Sequence, residues 1–292
     1  MMVDAHVHIW RREDLPWLSG PMQPRIFGPY EPIRRDYPIE EYLLDVAGSG
    51  IEASVYVQAN WPPARALDEV AWVNAEAERT GWPLAIVAYA DLTRGDARPA
   101  LAALVATPCV RGIRQQLHWH PNPQYRFAER EDICADPVLQ RNVAALAEFG
   151  LVFELQVFAN QADSAEALVD AAPATTFVLQ HAGMPEDLSE AGLSAWRGLL
   201  ARLARRPNVT AKLSGLGTFL RRLDPAHIAM VTTETLQHFG PERCLFGSNF
   251  PIEKLWTDYA ALIAAHRDAA AGFGEAAARA IFGGTARRLY RL

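Results

Sequence analysis

Val3-Asp4-Ala5-His6-Val7-His8-Ile9 is a short β-branched run interrupted by polar side chains at alternate positions. Period-two alternation over that length marks a strand, and how the chain repeats this pattern decides the fold. Further runs of the same character lie at Ser54–Ala59, Leu84–Ala90, Val110–Leu117, Leu151–Val157, Thr175–Gln180, Asn208–Ser214 and Cys244–Ser248. Each is bounded by Gly, Pro or polar residues, as buried parallel strands are. Between them, Ile39–Ala47, Leu67–Glu78, Val138–Phe149, Ser164–Ala171, Ala195–Ala204, Ala226–Phe239 and Asp258–Ala269 carry apolar residues at the helical spacing of three and four. Asp136-Pro137 and Asp224-Pro225 place a capping carboxylate before a first-turn proline and read as helix starts. Eight strands alternating with helices predict an α/β fold, a single (β/α)8 TIM barrel, with residues 1–292 as one domain. A doubly wound open sheet is the alternative, but no glycine-rich phosphate turn follows the first strand.

Composition narrows the function. Half of the residues are hydrophobic and 21% are charged, which gives a chain of this length ample core and excludes a disordered or low-complexity protein. A net charge of −6 argues against an electrostatic grip on nucleic acid or an anionic membrane. Only Lys212 and Lys254 are lysines, and the arginines are scattered rather than clustered. Cys109, Cys134 and Cys244 form no CxxC pair, so neither a disulfide framework nor a thiolate zinc site is expected. The MMVDAHVHIW start has no signal-peptide layout, and no uncharged apolar run is long enough to span a bilayer. The expected location is therefore the cytoplasm, and the expected partner is a small molecule. A homo-oligomer is left open.

Asp4, His6 and His8 stand at i, i+2 and i+4, which on a regular strand puts all three on one face, the barrel interior. Two imidazoles side by side can hold one divalent cation, with the carboxylate ligating or orienting them. Ordinary polar packing explains the same pattern. His181 ends the sixth strand before a glycine turn, where it can meet a substrate or metal or simply hydrogen-bond in the loop. Asn249 is the last polar side chain before Pro251 stops the eighth strand. Arg11–Pro38 and Trp119–Ile133 are long irregular stretches after strands one and four, the places where barrel enzymes build specificity.

VDAHVHIW (3–10), QHAGMP (180–185) and LFGSNFP (245–251) resemble the amidohydrolase superfamily. Within it they are most similar to the amidohydrolase-related branch of sugar-acid and dicarboxylate lactonases. RGIRQ (111–115), WHPNPQYRF (119–127), ELQVF (154–158) and AKLSGLG (211–217) extend the likeness through the chain. The resemblance implies a metal-dependent type of hydrolase that opens a cyclic ester. It assigns His6, His8 and His181 around the substrate carbonyl, with or without one divalent metal, zinc or manganese. The family commonly has an aspartate where this chain has Asn249, and an amide cannot act as a base near neutral pH, although it can hold a water. The fourth strand has no lysine for a metal-bridging carbamate, so at most one metal is implied and metal-free operation stays open.

Glu154, Asp4 and the histidines are the groups that could take the proton instead. Glu253 lies just past the strand and reads as too far along the loop. Arg114, His118 and Lys212 are the expected contacts to substrate oxygens, and Trp10 the expected stacking surface. Arg114 and Lys212 could equally form internal ion pairs. The reading is a lactonase of a sugar-derived or related small lactone. A non-oxidative decarboxylase and a catalytically silent metabolite-binding barrel are the alternatives.

Overall fold

The computed structural model describes residues 1–292. Eight parallel strands form one sheet in sequence order: β1 Met2–Val7, β2 Ile51–Val57, β3 Leu84–Ala88, β4 Val110–Ile113, β5 Val152–Leu155, β6 Phe177–Leu179, β7 Val209–Leu213 and β8 Cys244–Phe246. The chain beyond β8 brings the sheet back to its first strand. Asn249 N donates to His6 O at 2.7 Å, and His8 N donates to Phe250 O at 2.8 Å. This nearly closed α/β barrel is the predicted architecture.

The helices are α1 Pro16–Ser19, α2 Ile39–Asp45, α3 Ala66–Thr80, α4 Arg98–Val105, α5 Pro137–Ala145, α6 Ala162–Ala171, α7 Glu190–Ala204, α8 Pro225–Phe239, α9 Tyr259–Ala271, α10 Glu275–Arg279 and α11 Thr285–Tyr290. Both predicted aspartate caps are present: Asp136 accepts from Val138 N and Leu139 N, and Asp224 accepts from His227 N. Helix α4 escapes the periodicity reading because its segment, RPALAALV, is short and nearly all apolar. No helix is long and apolar enough to cross a membrane.

Apolar side chains fall into two clusters. The larger lies between strands and helices, and the smaller fills the barrel from β1, β2, β3, β5, β6 and β8. The phenol of Tyr290, carried by α11, enters the smaller cluster from below and reaches Glu154 on β5. Above that apolar floor the interior turns polar. Lys212 Nζ donates to Glu154 Oε1 at 2.6 Å, and Gln180 Nε2 donates to Glu154 Oε2 at 3.0 Å, with both charges fully buried.

Strand β1 is not regular, and this corrects the one-face reading of Asp4, His6 and His8. Its register to β2 pairs Asp4 with Ser54 but Val7 with Tyr56, so β1 carries one extra residue between them. The side chains of Val3 and Ala5 lie in the inner cluster, and that of Val7 in the outer one. Asp4 faces the helix layer, where its Oδ2 accepts from Tyr42 on α2 at 3.2 Å and from Tyr259 on α9 at 3.0 Å. Its other oxygen accepts from Ser248 N at 2.8 Å and His6 N at 3.2 Å, which ties β1 to the chain after β8. Asp4 touches neither imidazole ring through these bonds and is a structural carboxylate.

Candidate active site

A cleft of about 110 Å³ opens at the C-terminal end of the strands, a volume of the order that holds one small ring. His8, Arg114, Gln156, His181 and Asn249 line it from the barrel. The two long irregular stretches supply its walls. Trp17, Arg25 and Phe27 come from the first, and Gln124, Arg126 and Phe127 from the second.

His8 and His181 have fixed orientations. His8 Nδ1 donates to the carbonyl of Val57 at 2.7 Å, which leaves its Nε2 as the free ring atom. His181 Nδ1 lies 2.9 Å from Ser214 Oγ. The backbone at His181, Ala182, Gly183 and Met184 is left-handed throughout, a turn that swings the ring off the strand axis and toward the cleft. Gly215 permits this: its φ is +62°, and a Cβ there would stand 2.6 Å from His181 Nδ1. His6 lies under both rings, with centroids 5.1 Å from His8 and 4.8 Å from His181. It does not line the cleft, and neither of its ring nitrogens has a hydrogen-bond partner.

Burial, followed by the charges of Arg114 and Lys212, lowers His8 and His181 to about 3. Burial and Lys212 likewise hold His6 well below the usual imidazole range. All three rings are neutral at pH 7. No carboxylate lines the cleft, whereas Arg25, Arg114 and Arg126 do. Arg114 is buried and donates to the Gln58 carbonyl, but its Nε and that of Arg25 have no partner. Neither arginine forms a direct ion pair, although Glu154 and Glu69 act on Arg114 from a distance, and with no carboxylate in the lining the two give the cleft a positive field.

The remaining expected residues divide. His118 lines the cleft between Phe127 and Phe158, with Nδ1 unpartnered. Trp10 forms a wall beside His8, held by its indole N–H on Arg35 O at 2.8 Å. Lys212 does not reach the cleft. It is spent on Glu154, so the expectation that it fixes substrate oxygens is corrected, and with it the expectation of Glu154 as base or ligand. The inward side chains of β5 and β7 at that depth meet each other over the intervening strand β6 before they meet a ligand. Glu253, set aside on sequence distance, is fully buried against Asn249. Arg25 was missed, because a basic residue in a proline-rich loop carries no period that shows where it points.

A resident divalent cation needs three or four donors around one point. The orphaned nitrogens of His6 answer part of that requirement. Against it, no three His, Cys, Asp or Glu side chains converge on a common point. Lys212 and Arg114 also bring positive charge to the same rings. As arranged, His6, His8 and His181 do not form the three-histidine ligand set expected of them.

Residues 3–292 match the amidohydrolase family. The chain is 31% identical to an L-fucono-1,5-lactonase of Burkholderia multivorans, over all of its own length and 96% of the relative's. It is 30% identical to protein y4mH of Sinorhizobium fredii, over 100% of this chain and 98% of that one. A crystal structure of an amidohydrolase from Burkholderia multivorans with bound zinc superposes with a TM-score of 0.82 at 30% identity, covering 100% and 99% of the two chains.

Proposed function

Because the chain belongs to the amidohydrolase family, we propose that it is a hydrolase that opens a small sugar-derived or related lactone at this cleft, within one catalytic domain. The observation that carries the reading is His8. Its tautomer is set by Val57, its free Nε2 is neutral, and it stands beside His181, Arg114 and Asn249. A water held between His8 Nε2 and Asn249 attacks the ring carbonyl carbon while His8 takes its proton. The carbonyl π electrons move to oxygen, and the oxyanion is met by Arg114 and His181. On collapse the ring C–O bond breaks, and the leaving alkoxide takes the proton from His8. The product is a hydroxy acid whose new carboxylate lies beside Arg114 and Arg25, each of which keeps a buried Nε with no internal acceptor.

A base held at about 3 is weak. That suits an ester already activated by its ring and would not suit an amide. The donor set described above supports a mechanism that proceeds by hydrogen bonds and needs no resident metal. Similarity to a lactonase of known name over the whole chain supports the substrate class.

A pH-indicator assay on five- and six-membered aldonolactones, with and without chelator, tests the reading. Turnover that persists after chelation and metal analysis is the expected result. Turnover abolished by chelator and restored by zinc would overturn the metal-free step. No lactone turnover, with carbon dioxide released from hydroxybenzoates, would replace the lactonase by a decarboxylase. Thermal stabilisation by lactones without turnover would leave a binding protein.

A further inference from the structure

Asn249 is the feature of this site that a hydrolytic mechanism must explain, since an amide stands where a carboxylate would receive a proton. Its backbone is left-handed, with φ +59°, and its carbonyl accepts from Ile252 N at 2.9 Å and Glu253 N at 3.3 Å. That turn folds Glu253 back behind Asn249. The Glu253 carboxyl is fully buried and does not line the cleft. Its Oε2 accepts from Trp256 Nε1 at 2.7 Å, and its Oε1 is buried without a well-formed hydrogen bond. Gly217 closes the cage, and a Cβ there would stand 2.6 Å from Oε2 and 2.4 Å from Trp256 Nε1.

The groups facing the carboxyl are the Asn249 amide, the Trp256 indole, the Thr218 hydroxyl and the Gly217 backbone, all uncharged. Charged neighbours of the turn face elsewhere. Lys254 pairs with Glu41 and Asp45, and Glu31, on the packed segment 31–33, is exposed beside Arg34. Asn249 lies against both Glu253 and His8, so it spans from the buried carboxyl to the cleft.

An amide has two unlike ends. If its oxygen faces the cleft, His8 Nε2 and Asn249 Oδ1 are a pair of acceptors that hold a water by both hydrogens and leave its lone pair free to attack. If the nitrogen faces the cleft, its N–H donates to the water's oxygen and occupies the lone pair that must attack. We propose that Glu253 is a positioning residue that holds the Asn249 amide nitrogen toward itself and so turns the amide oxygen to the attacking water. This rests on the lactonase reading for its catalytic consequence, but not for the orientation itself. Ionised Glu253 accepts only, and so selects the productive orientation. Protonated Glu253 offers an O–H that favours the reverse. Burial pushes this carboxyl up to about 7, so the selection weakens as pH falls through neutrality.

The test uses the full chain, wild type, E253Q and W256F. Wild-type kcat rises with pH through about 7 at nearly constant KM. E253Q loses that limb and lowers kcat at pH 8 by about tenfold to a hundredfold, the weight of one hydrogen bond to a charged group. W256F removes a donor to the ionised carboxylate and moves the limb to higher pH. The N249D/E253Q double variant, whose strand-eight carboxylate has no ends to choose between, exceeds E253Q in kcat. A merely structural Glu253 would leave the limb in place in E253Q while kcat fell with the melting temperature.

A readout without substrate separates this proposal from the lactonase reading. The side-chain ¹⁵N amide signal of Asn249, identified by its loss in N249D, titrates near pH 7 in wild type and not in E253Q. Titration without lactone turnover would sink the lactonase reading and keep Glu253. An amide signal that ignores pH, or that titrates unchanged in E253Q, overturns the proposal whatever the activity.

Discussion

His8 donates its Nδ1 hydrogen to the carbonyl of Val57, the last residue of β2, at 2.7 Å. A backbone carbonyl can only accept, so this single contact settles the neutral tautomer and leaves the Nε2 lone pair for the cleft. The histidine directly follows β1 and its partner ends β2, so the pairing of these two strands itself orients the proposed base.

His8→Gln is therefore expected to lower kcat/KM by about 10²- to 10⁴-fold, the usual span for a general base. The melting temperature should change little, since the ring makes one hydrogen bond. An activity loss that merely tracks unfolding would contradict the assignment. His181→Asn should fall in the same range, and steady-state kinetics at pH 8 reads both.

Arg114 and Arg25 carry buried N–H groups with no acceptor, and no carboxylate lines the cleft. Arg114→Gln should weaken substrate and product binding by about tenfold or more, roughly one lost charge-assisted hydrogen bond. The product hydroxy acid should inhibit wild type better than the variant. Equal product inhibition of both would show that the guanidinium does not meet the new carboxylate.

Lys212 and Glu154 form a fully buried ion pair below the cleft. Lys212→Met leaves Glu154 charged and unpaired, which costs on the order of 3–5 kcal/mol. The K212M/E154Q pair should recover part of that loss, because the uncompensated charge is gone. Urea unfolding of the four forms measures the coupling, and additive losses would count against it.

Glu69 on α3 accepts from Tyr56 Oη and Ala59 N, both at 2.7 Å, and burial pushes it up to about 7. A raised carboxyl pKa means that the folded chain holds the proton more tightly than the unfolded chain. Its contribution to stability is complete below the ordinary carboxylate range and disappears as pH rises through about 7. Between pH 5 and pH 8 wild type should therefore lose about 2–3 kcal/mol relative to E69Q. Denaturant midpoints for both proteins at the two pH values check the sign.

The sequence determined the architecture, because hydrophobic period is a local property. Strands such as Leu84–Ala88 and capped helices such as Pro137–Ala145 are written in adjacent residues, and the closing order of eight strands follows from their alternation. It also determined which residues crowd the C-terminal end of the barrel, since His8, Arg114, His181 and Asn249 stand at or just past strand ends and all line the cleft.

Only the tertiary structure decided what each polar group faces. One extra residue in β1 turned Asp4 outward to Tyr42 and Tyr259, against the period-two expectation. Lys212 and Glu154 found each other over the intervening strand β6 at a separation of 58 residues. Glu253, four residues beyond Asn249, returned to it because a left-handed turn reversed the chain. Apolar side chains gain free energy from burial against almost any neighbour, so their pattern alone predicts where they go. A buried polar group is stabilised only by a partner at the right distance and angle, and that partner is fixed by the assembled fold.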